Sequence, residues 1–327
     1  MPKERDYSID IIKFLAVFFI INSHADAAYP HFKILATGGA IGDELFLFCS
    51  GYTLFLGQMR DFGNYYKRRI NRIYPSSVAC LIVMMALPWW TNDVGRNFYL
   101  SFGRPFLVAI MIYYILLWLI RKYLNNYIPW VVAFLAITTL IVYIFFFPYK
   151  YETGVRGIFG TNTHFRWLPN FFFPLLGAYL GVHHKELKYS AKSDAIKFFI
   201  CLFFYYAIQF AAKKIPAVGP FQIIIIVFLA GIVFYLYKVL HAPVFQRIYH
   251  HKWGNAIIMI IGGLCLETYL TQYCIITNKL NSIFPLNLII ITFGILILAY
   301  ITRCIARLFS QTFRTEDYEW KKIFSLR

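Results

Sequence analysis

Charged residues are scarce in this sequence, and acidic residues are the scarcest of them. Only 14% of the 327 residues are charged, whereas an average soluble protein carries about 25%. Hydrophobic residues make up 60% of the chain, and a soluble fold could not cover that much apolar surface with polar side chains. These proportions exclude a soluble globular, disordered or fibrous protein.

Paired cysteines are also missing. The six cysteines lie in or beside apolar segments, without the spacing of a disulfide framework or a zinc site, so we expect no metal. A cleavable signal peptide is not evident either, because the first apolar segment contains Lys13 and lacks a small-residue cleavage site.

Apolar segments of about 20 residues, the length that crosses a bilayer as a helix, fill most of the chain. They predict an all-α, polytopic membrane protein with about ten transmembrane helices. Neither an internal repeat nor a long linker is visible, so residues 1–327 are expected to form a single transmembrane domain. The predicted spans are Ile9–Ala25, Ala40–Gly57, Tyr74–Trp90, Arg104–Ile120, Tyr127–Phe147, Trp167–His183, Ala195–Ala212, Pro220–Lys238, Asn255–Ile275 and Leu286–Ala306.

The net charge of +17 would indicate a nucleic-acid partner in a soluble protein. In a membrane protein it has a simpler explanation, because cytoplasmic loops are enriched in Lys and Arg. With a cytoplasmic N-terminus, 21 of the 32 Lys and Arg residues lie in inner segments and nine in outer segments. We therefore expect both termini in the cytoplasm, contact with membrane lipid and no nucleic-acid partner.

The first span carries charges that topology does not explain. Lys13 and His24 are eleven residues apart, about 16 Å along a helix and within about 20° of one face. A charge inside a bilayer is expensive, which favours a functional site with a cation at the inner end and a base near the outer end. Alternatively, Lys13 snorkels to the inner headgroups or pairs with Asp10, and His24 marks the outer interface.

The second span holds Asp43 and Glu44 at the depth expected for His24. A carboxylate there could hold an imidazole in one tautomer, as in an acyl-transfer triad. Alternatively, both acids lie in the headgroups at a helix N-terminus, an explanation that suits Asp43 better than Glu44.

A basic stretch precedes the third span. Arg69 and Arg72 are three residues apart and would share a helix face, with Arg68 adjacent. Planar guanidinium groups suit phosphate, which predicts an anion-binding site. The alternative is topology charge in contact with anionic lipid.

Together these segments resemble the acyltransferase-3 family of integral-membrane acyltransferases over the whole chain. Two positions depart from the family pattern, because Gln272 replaces a usual histidine and Cys265 or Leu266 lies near a usual serine. The resemblance also implies about ten spans, and we expect no fused extracytoplasmic domain. The matching positions are Lys13 and His24; Gly42, Glu44, Phe46, Ser50, Gly51 and Tyr52; Arg69, Arg72, Ile73, Tyr74 and Pro75; Arg166, Phe171, Gly177 and Gly181; and Gly262 to Gln272.

The resemblance implies an O-acyltransferase of a bacterial-type cytoplasmic membrane. Its donor would be cytoplasmic acyl-CoA, which in this family is usually acetyl-CoA, and its acceptor a hydroxyl of an extracytoplasmic glycan or a small molecule. Lys13, Arg68, Arg69 and Arg72 would bind acyl-CoA. His24 would be a general base or carry the acyl group itself, supported by Glu44. Glu267 would bind substrate or pair with an arginine such as Arg166, and Tyr269 and Gln272 would contact the acceptor.

Two other functions remain open from the residues alone. A transporter or flippase of a glycan or lipid-linked intermediate also uses intramembrane Lys, His and Glu, but gives no reason for paired arginines at the inner mouth. A structural subunit of a membrane assembly leaves the charges within the spans unexplained. Binding or hydrolysis of acetyl-CoA would separate the acyltransferase from both.

Overall fold

The computed structural model describes residues 6–90, 93–146, 158 and 164–326, and every regular element in them is helical. The all-α class is therefore confirmed. The helices are α1 (Tyr7–His24), α2 (Gly39–Leu56), α3 (Phe62–Ala86), α4 (Val94–Phe98), α5 (Pro105–Tyr123), α6 (Ile128–Phe146), α7 (Trp167–Asn170), α8 (Phe172–His183), α9 (Ala191–Lys214), α10 (Ile225–Val239), α11 (Pro243–His250), α12 (Lys252–Gly263), α13 (Cys265–Thr271), α14 (Leu286–Thr312) and α15 (Trp320–Ile323).

Seven helical segments of the described chain are long and apolar enough to cross a membrane, and a bent pair makes an eighth. The count of about ten spans is thus not confirmed. The seven segments, with their flanking turns, are Tyr7–Ala28, Lys33–Leu56, Val94–Tyr123, Asn125–Phe146, Ala191–Lys214, Pro216–Val239 and Leu286–Thr312.

The two remaining predicted spans fall short for different reasons. Tyr74–Trp90 overlaps α3, whose first half is the basic stretch, so only its second half is apolar. Trp167–His183 is divided between α7 and α8 at Phe171. The 12 residues of α8 extend about 18 Å, less than the bilayer core of about 30 Å.

The predicted span Asn255–Ile275 is a broken helix. Its two parts, α12 and α13, meet at Leu264 with a bend of 50°. The break follows Gly262 and Gly263, and glycine pairs are common sites of helix kinks because glycine is a poor helix former. The guanidinium of Arg303 donates a hydrogen bond to the Gly263 carbonyl, which satisfies an acceptor at the break.

The chain divides into two compact units. The first contains Met1–Ile9, Glu44–Met59 and Ile115–Ile248, and the second contains Asp10–Asp43, Arg60–Tyr114 and Tyr249–Arg327. In the first unit α9 packs along α10, and in the second α3, α13 and α14 pack on one another.

Close backbone approach explains several glycines. In the first unit, α2 and α8 are so close that a Cβ on Gly51 would overlap the Pro174 carbonyl oxygen, and one on Gly177 would overlap that of Phe48. In the second unit, a Cβ on Gly42 would come within 2.7 Å of the Ile20 side chain. Small residues at such crossings are typical of packed membrane helices.

Candidate active site

His24 lies at the C-terminal end of α1, half-buried, where Tyr273 contacts it. The Tyr273 hydroxyl is 2.8 Å from Nδ1 and 3.2 Å from Nε2 of the imidazole. The two rings are tilted, with centroids 4.9 Å apart. A hydroxyl at this position can fix the tautomer of the imidazole and its orientation, as a general base requires.

Lys13 lies in the N-terminal half of α1, on the same face as His24 and beside Gly262 of α12. A Cβ on Gly262 would be 3.3 Å from the Lys13 Cβ and 3.1 Å from the Asp10 carbonyl oxygen. Lys13 and His24 are eleven residues apart, as are their neighbours Gly262 and Tyr273. Therefore α1 and the α12–α13 segment run in the same direction, with Lys13 and His24 at opposite ends of their contact.

Helix α3 follows the same course. Ser76 contacts Glu267, Cys80 contacts the Leu270 carbonyl, and farther along the chain Trp89 donates to the Cys274 carbonyl. Both partners in this series advance together, so α3 runs in the same direction as α13. Its basic start therefore lies toward the Gly262 end of the broken helix, and its apolar half extends toward Tyr273.

The basic stretch of α3 begins after a capped helix start. Asp61 accepts hydrogen bonds from the backbone N–H of Asn64 at 2.9 Å and from its side chain, and these bonds hold the pKa of the Asp61 carboxyl below its ordinary value. Asp61 is thus ionised at neutral pH, the form that caps a helix N-terminus.

The arginines of this stretch differ in their surroundings. Arg69 is half-buried, with its guanidinium 5.5 Å from the ring centroids of Tyr65 and Tyr114, whereas Arg68 and Arg72 are exposed. In the described part of the chain, no carboxylate forms an ion pair with any of the three. Their charges are therefore available to bind an anionic ligand.

Glu267 is 7% exposed and lies at the start of α13. Ser76 donates to one of its carboxylate oxygens at 2.8 Å, and the Arg303 guanidinium is 3.3 Å from the other. Arg303 also holds the Gly263 carbonyl at the break. The arginine found on Glu267 is therefore Arg303 of α14, which the sequence analysis did not single out.

Tyr269 and Gln272 lie at the end of α13, beside Arg104. The Tyr269 carbonyl accepts hydrogen bonds from Arg104 Nη1 at 3.0 Å and from Gln272 Nε2 at 3.3 Å. Arg104 Nη2 is 3.4 Å from the Leu270 carbonyl. The Arg104 guanidinium also lies 4.5 Å from the ring centroid of Tyr273, the residue whose hydroxyl contacts His24.

Glu44 and Arg166 belong to the first unit. Glu44 lies on α2 with none of its surface exposed, and Arg166 is half-buried at the end of the turn His164–Arg166. The support of His24 by Glu44 and a substrate contact by Arg166 stay predictions. The described residues contain no group of three or more His, Cys, Asp or Glu side chains placed to hold a metal ion.

Sequence reasoning missed Tyr273, Arg104 and Arg303. No motif distinguishes Tyr273 from the other 24 tyrosines of the sequence, and Arg104 was counted among the outer topology charges. Arg303 was likewise counted as an inner topology charge, although it lies within the predicted span Leu286–Ala306. A charge within a span was the signal that could have identified it.

The helical fold and its apolar segments define a multi-pass membrane protein. The chain belongs to the acyltransferase-3 family, since the family model described as an acyltransferase domain matches residues 6–306. The resemblance noted in the sequence is thus confirmed, and the family supports an acyltransferase with an acyl donor and a hydroxyl acceptor. Neither the curated proteins nor the solved structures contain a match to the chain.

Proposed function

We propose that the protein is a membrane O-acyltransferase that moves an acetyl or other short acyl group from cytoplasmic acyl-CoA to a hydroxyl of an extracytoplasmic glycan or related acceptor. The observation that carries this proposal is the common direction of α1, α3 and the broken helix. It assigns Lys13 and the start of α3 to one end of the helices, and His24 with Tyr273 to the other.

This separation suits a reaction whose donor and acceptor come from opposite sides of a membrane. Arg68, Arg69 and Arg72 would bind the CoA phosphates, since guanidinium groups bind phosphate through paired hydrogen bonds. The pantetheine arm would follow the face marked by Lys13 and bring the thioester to His24, about 16 Å farther along α1.

At the thioester, His24 accepts the proton of the acceptor hydroxyl while the hydroxyl oxygen bonds to the acyl carbon. The carbon–sulfur bond breaks, and the imidazolium returns the proton to the CoA thiolate. A positioned base of this kind typically accelerates a reaction by about 10²–10⁴-fold. Transient transfer of the acyl group to His24 itself is the other route to the same products. The sequence further predicts that Glu44 supports His24 in either route and that Tyr269, Gln272 and Arg166 contact the acceptor. Glu267 either contacts the acceptor with them or serves only as the partner of Arg303.

The donor assignment is tested by acetyl-CoA binding to the purified, full-length protein in lipid nanodiscs. Arg69→Ala combined with Arg72→Ala should weaken binding at least tenfold, because two phosphate contacts are lost. Lys188→Ala removes an exposed charge from another segment, and this variant should bind acetyl-CoA as the unchanged protein does. No saturable acetyl-CoA binding by the unchanged protein would refute the proposal.

The base assignment is tested by turnover. His24→Ala should reduce release of free CoA from acetyl-CoA by about 10²-fold or more while the protein stays folded in the membrane. Elution as a single species in size-exclusion chromatography verifies folding. Full turnover by a folded His24→Ala protein would exclude both routes through the imidazole.

A further inference from the structure

Arg104 is a buried cation that the reaction above does not use. It precedes α5 and is 5% exposed. Two cations that are largely shielded from solvent have acidic partners: Lys238 is 2.7 Å from Asp194, and Arg303 is 3.3 Å from Glu267. No carboxylate of the described residues forms an ion pair with Arg104.

The contacts of Arg104 use only part of its hydrogen-bonding capacity. Its Nη1 and Nη2 atoms donate to the carbonyls of Tyr269 and Leu270, at the C-terminal end of α13, where a cation is favourable. Its buried Nε has no hydrogen-bond partner among the described residues, nor has the buried Oε1 of Gln272, whose amide shares the Tyr269 carbonyl. Capping of α13 therefore explains the presence of Arg104 but leaves its Nε donor unsatisfied.

Tyr273 contacts both Arg104 and His24, the proposed base. Its ring lies under the guanidinium, with 4.5 Å between the guanidinium carbon and the ring centroid, and its hydroxyl lies on His24. Tyr269 offers a second aromatic face at 5.2 Å. Tyr273 therefore links the Arg104 guanidinium to the proposed base.

We propose that Arg104 and Tyr273 form an anion-binding subsite beside His24, which takes a negatively charged oxygen of the reacting substrate. This inference rests on the proposed acyl transfer. A buried donor without a partner is destabilising, so the unpartnered Nε favours a ligand atom that accepts a hydrogen bond from it. A guanidinium is also suited to an oxygen anion, since it stays charged when buried.

Two oxygen anions fit this chemistry. One forms during transfer: when the hydroxyl oxygen bonds to the acyl carbon, the carbonyl electron pair moves to oxygen, and it returns when the carbon–sulfur bond breaks. Donors aimed at such an oxyanion are worth about 10²–10³ in kcat. The other is a carboxylate carried by the acyl group itself, as in a succinyl group.

Thiol release from acetyl-CoA and from succinyl-CoA by the full-length protein distinguishes the two. If the subsite serves the oxyanion, Arg104→Gln lowers kcat about 10²-fold or more with both donors and changes KM little. If it serves a carboxylate, Arg104→Gln raises KM for succinyl-CoA at least tenfold and leaves acetyl-CoA kinetics unchanged. Either result supports the proposal.

Arg121→Gln is the matched structural control. Arg121 likewise binds two backbone carbonyls, those of Leu54 and Gly57, and lies 5.6 Å from the ring centroid of Phe55. Its loss should lower the thermal midpoint with kcat and KM unchanged. An Arg104→Gln protein with unchanged kinetics for both donors would show that Arg104 only caps α13 and would overturn the proposal.

If the Arg104→Gln protein does not fold, the Arg104→Lys protein provides the test of the subsite. It keeps the positive charge but lacks the Nε donor, so kcat with acetyl-CoA or KM with succinyl-CoA should worsen at least tenfold. Kinetics equal to those of the unchanged protein with both donors would overturn the subsite. Absence of thiol release by the unchanged protein would instead refute the acyl transfer on which the subsite depends.

Discussion

His24 takes its orientation from a neighbour on another helical segment, the hydroxyl of Tyr273 at 2.8 Å. The direction of this hydrogen bond decides which nitrogen is the base. When Nδ1–H donates to the tyrosine oxygen, Nε2 keeps its lone pair and can accept the proton of the acceptor. When the tyrosine O–H donates to Nδ1, Nε2 carries a hydrogen and cannot. Tyr273 is therefore a positioning residue for the proposed base.

Tyr273→Phe tests this role at the scale of one atom. The ring under Arg104 remains, and only the hydroxyl on His24 is lost. One such hydrogen bond is worth about 0.5–1.5 kcal/mol, so we expect kcat for CoA release from acetyl-CoA to fall up to about tenfold, with KM unchanged. Tyr123→Phe, at the exposed end of α5, removes a tyrosine hydroxyl elsewhere and should have no effect. An unaltered kcat in Tyr273→Phe would rule out the positioning role.

Residue types within the site were predictable to different degrees. Lys13, His24 and Glu267 were identified because a polar group in an apolar segment is costly and so invites an explanation. Their partners were not, because tyrosines are common at membrane interfaces and arginines are common at the ends of spans. Only the fold brings Tyr273 and Arg104 to one another, since 169 positions separate them in the chain.

At the scale of elements, the break between α12 and α13 is held by an ion pair. Arg303 contacts both the Gly263 carbonyl and the Glu267 carboxylate, and Ser76 of α3 supports the same carboxylate. One buried pair thus connects the broken helix to α3 and α14. This arrangement favours a structural role for Glu267 over a direct contact with substrate.

Glu267→Gln separates these roles. Removing one partner of a buried pair leaves the other charge uncompensated, which costs about 3–5 kcal/mol, so the thermal midpoint should fall clearly. Replacing both partners, with Glu267→Leu and Arg303→Met, should recover part of that loss. Glu319→Gln breaks the exposed pair with Lys322 and should cost less than about 1 kcal/mol. An unchanged midpoint with a raised KM would instead identify Glu267 as a substrate ligand.

The crossing of α2 and α8 makes a second prediction about elements. Gly51→Ala places a methyl group against the Pro174 carbonyl, a backbone atom that cannot rotate away, and should destabilise the protein by about 1–3 kcal/mol or more. Gly57→Ala is the matched control, because its Cβ would lie 3.7 Å from the nearest atom, an ordinary contact. Thermal midpoints in detergent compare the two, and equal midpoints would contradict the close approach.

For the whole molecule, the length of the apolar segments predicted the helical membrane fold but not the broken and shortened helices within it. Seven spans follow from uninterrupted apolar segments. The basic start of α3 shortens one predicted span, and the break at Phe171 divides another. The bend at Leu264 is accompanied by a tertiary contact of Arg303 with Gly263, which hydropathy does not encode. The positive-inside bias supplies the one argument for orientation, because helix directions within a unit do not distinguish inside from outside.

Orientation is the remaining condition on which the proposed reaction depends, since acyl-CoA is cytoplasmic and the basic start of α3 must face it. Lys33 and Lys67 are both exposed, and the topology predicted from the sequence puts them on opposite sides of the membrane. In intact cells, a membrane-impermeant maleimide should label Lys33→Cys, and should label Lys67→Cys only after the membrane is permeabilised. The unsubstituted protein is the blank, because five of its six cysteines are buried and Cys201 is half-buried. Labelling of Lys67→Cys in intact cells would place the arginines away from the cytoplasmic donor, and acyl-CoA could then not be their ligand.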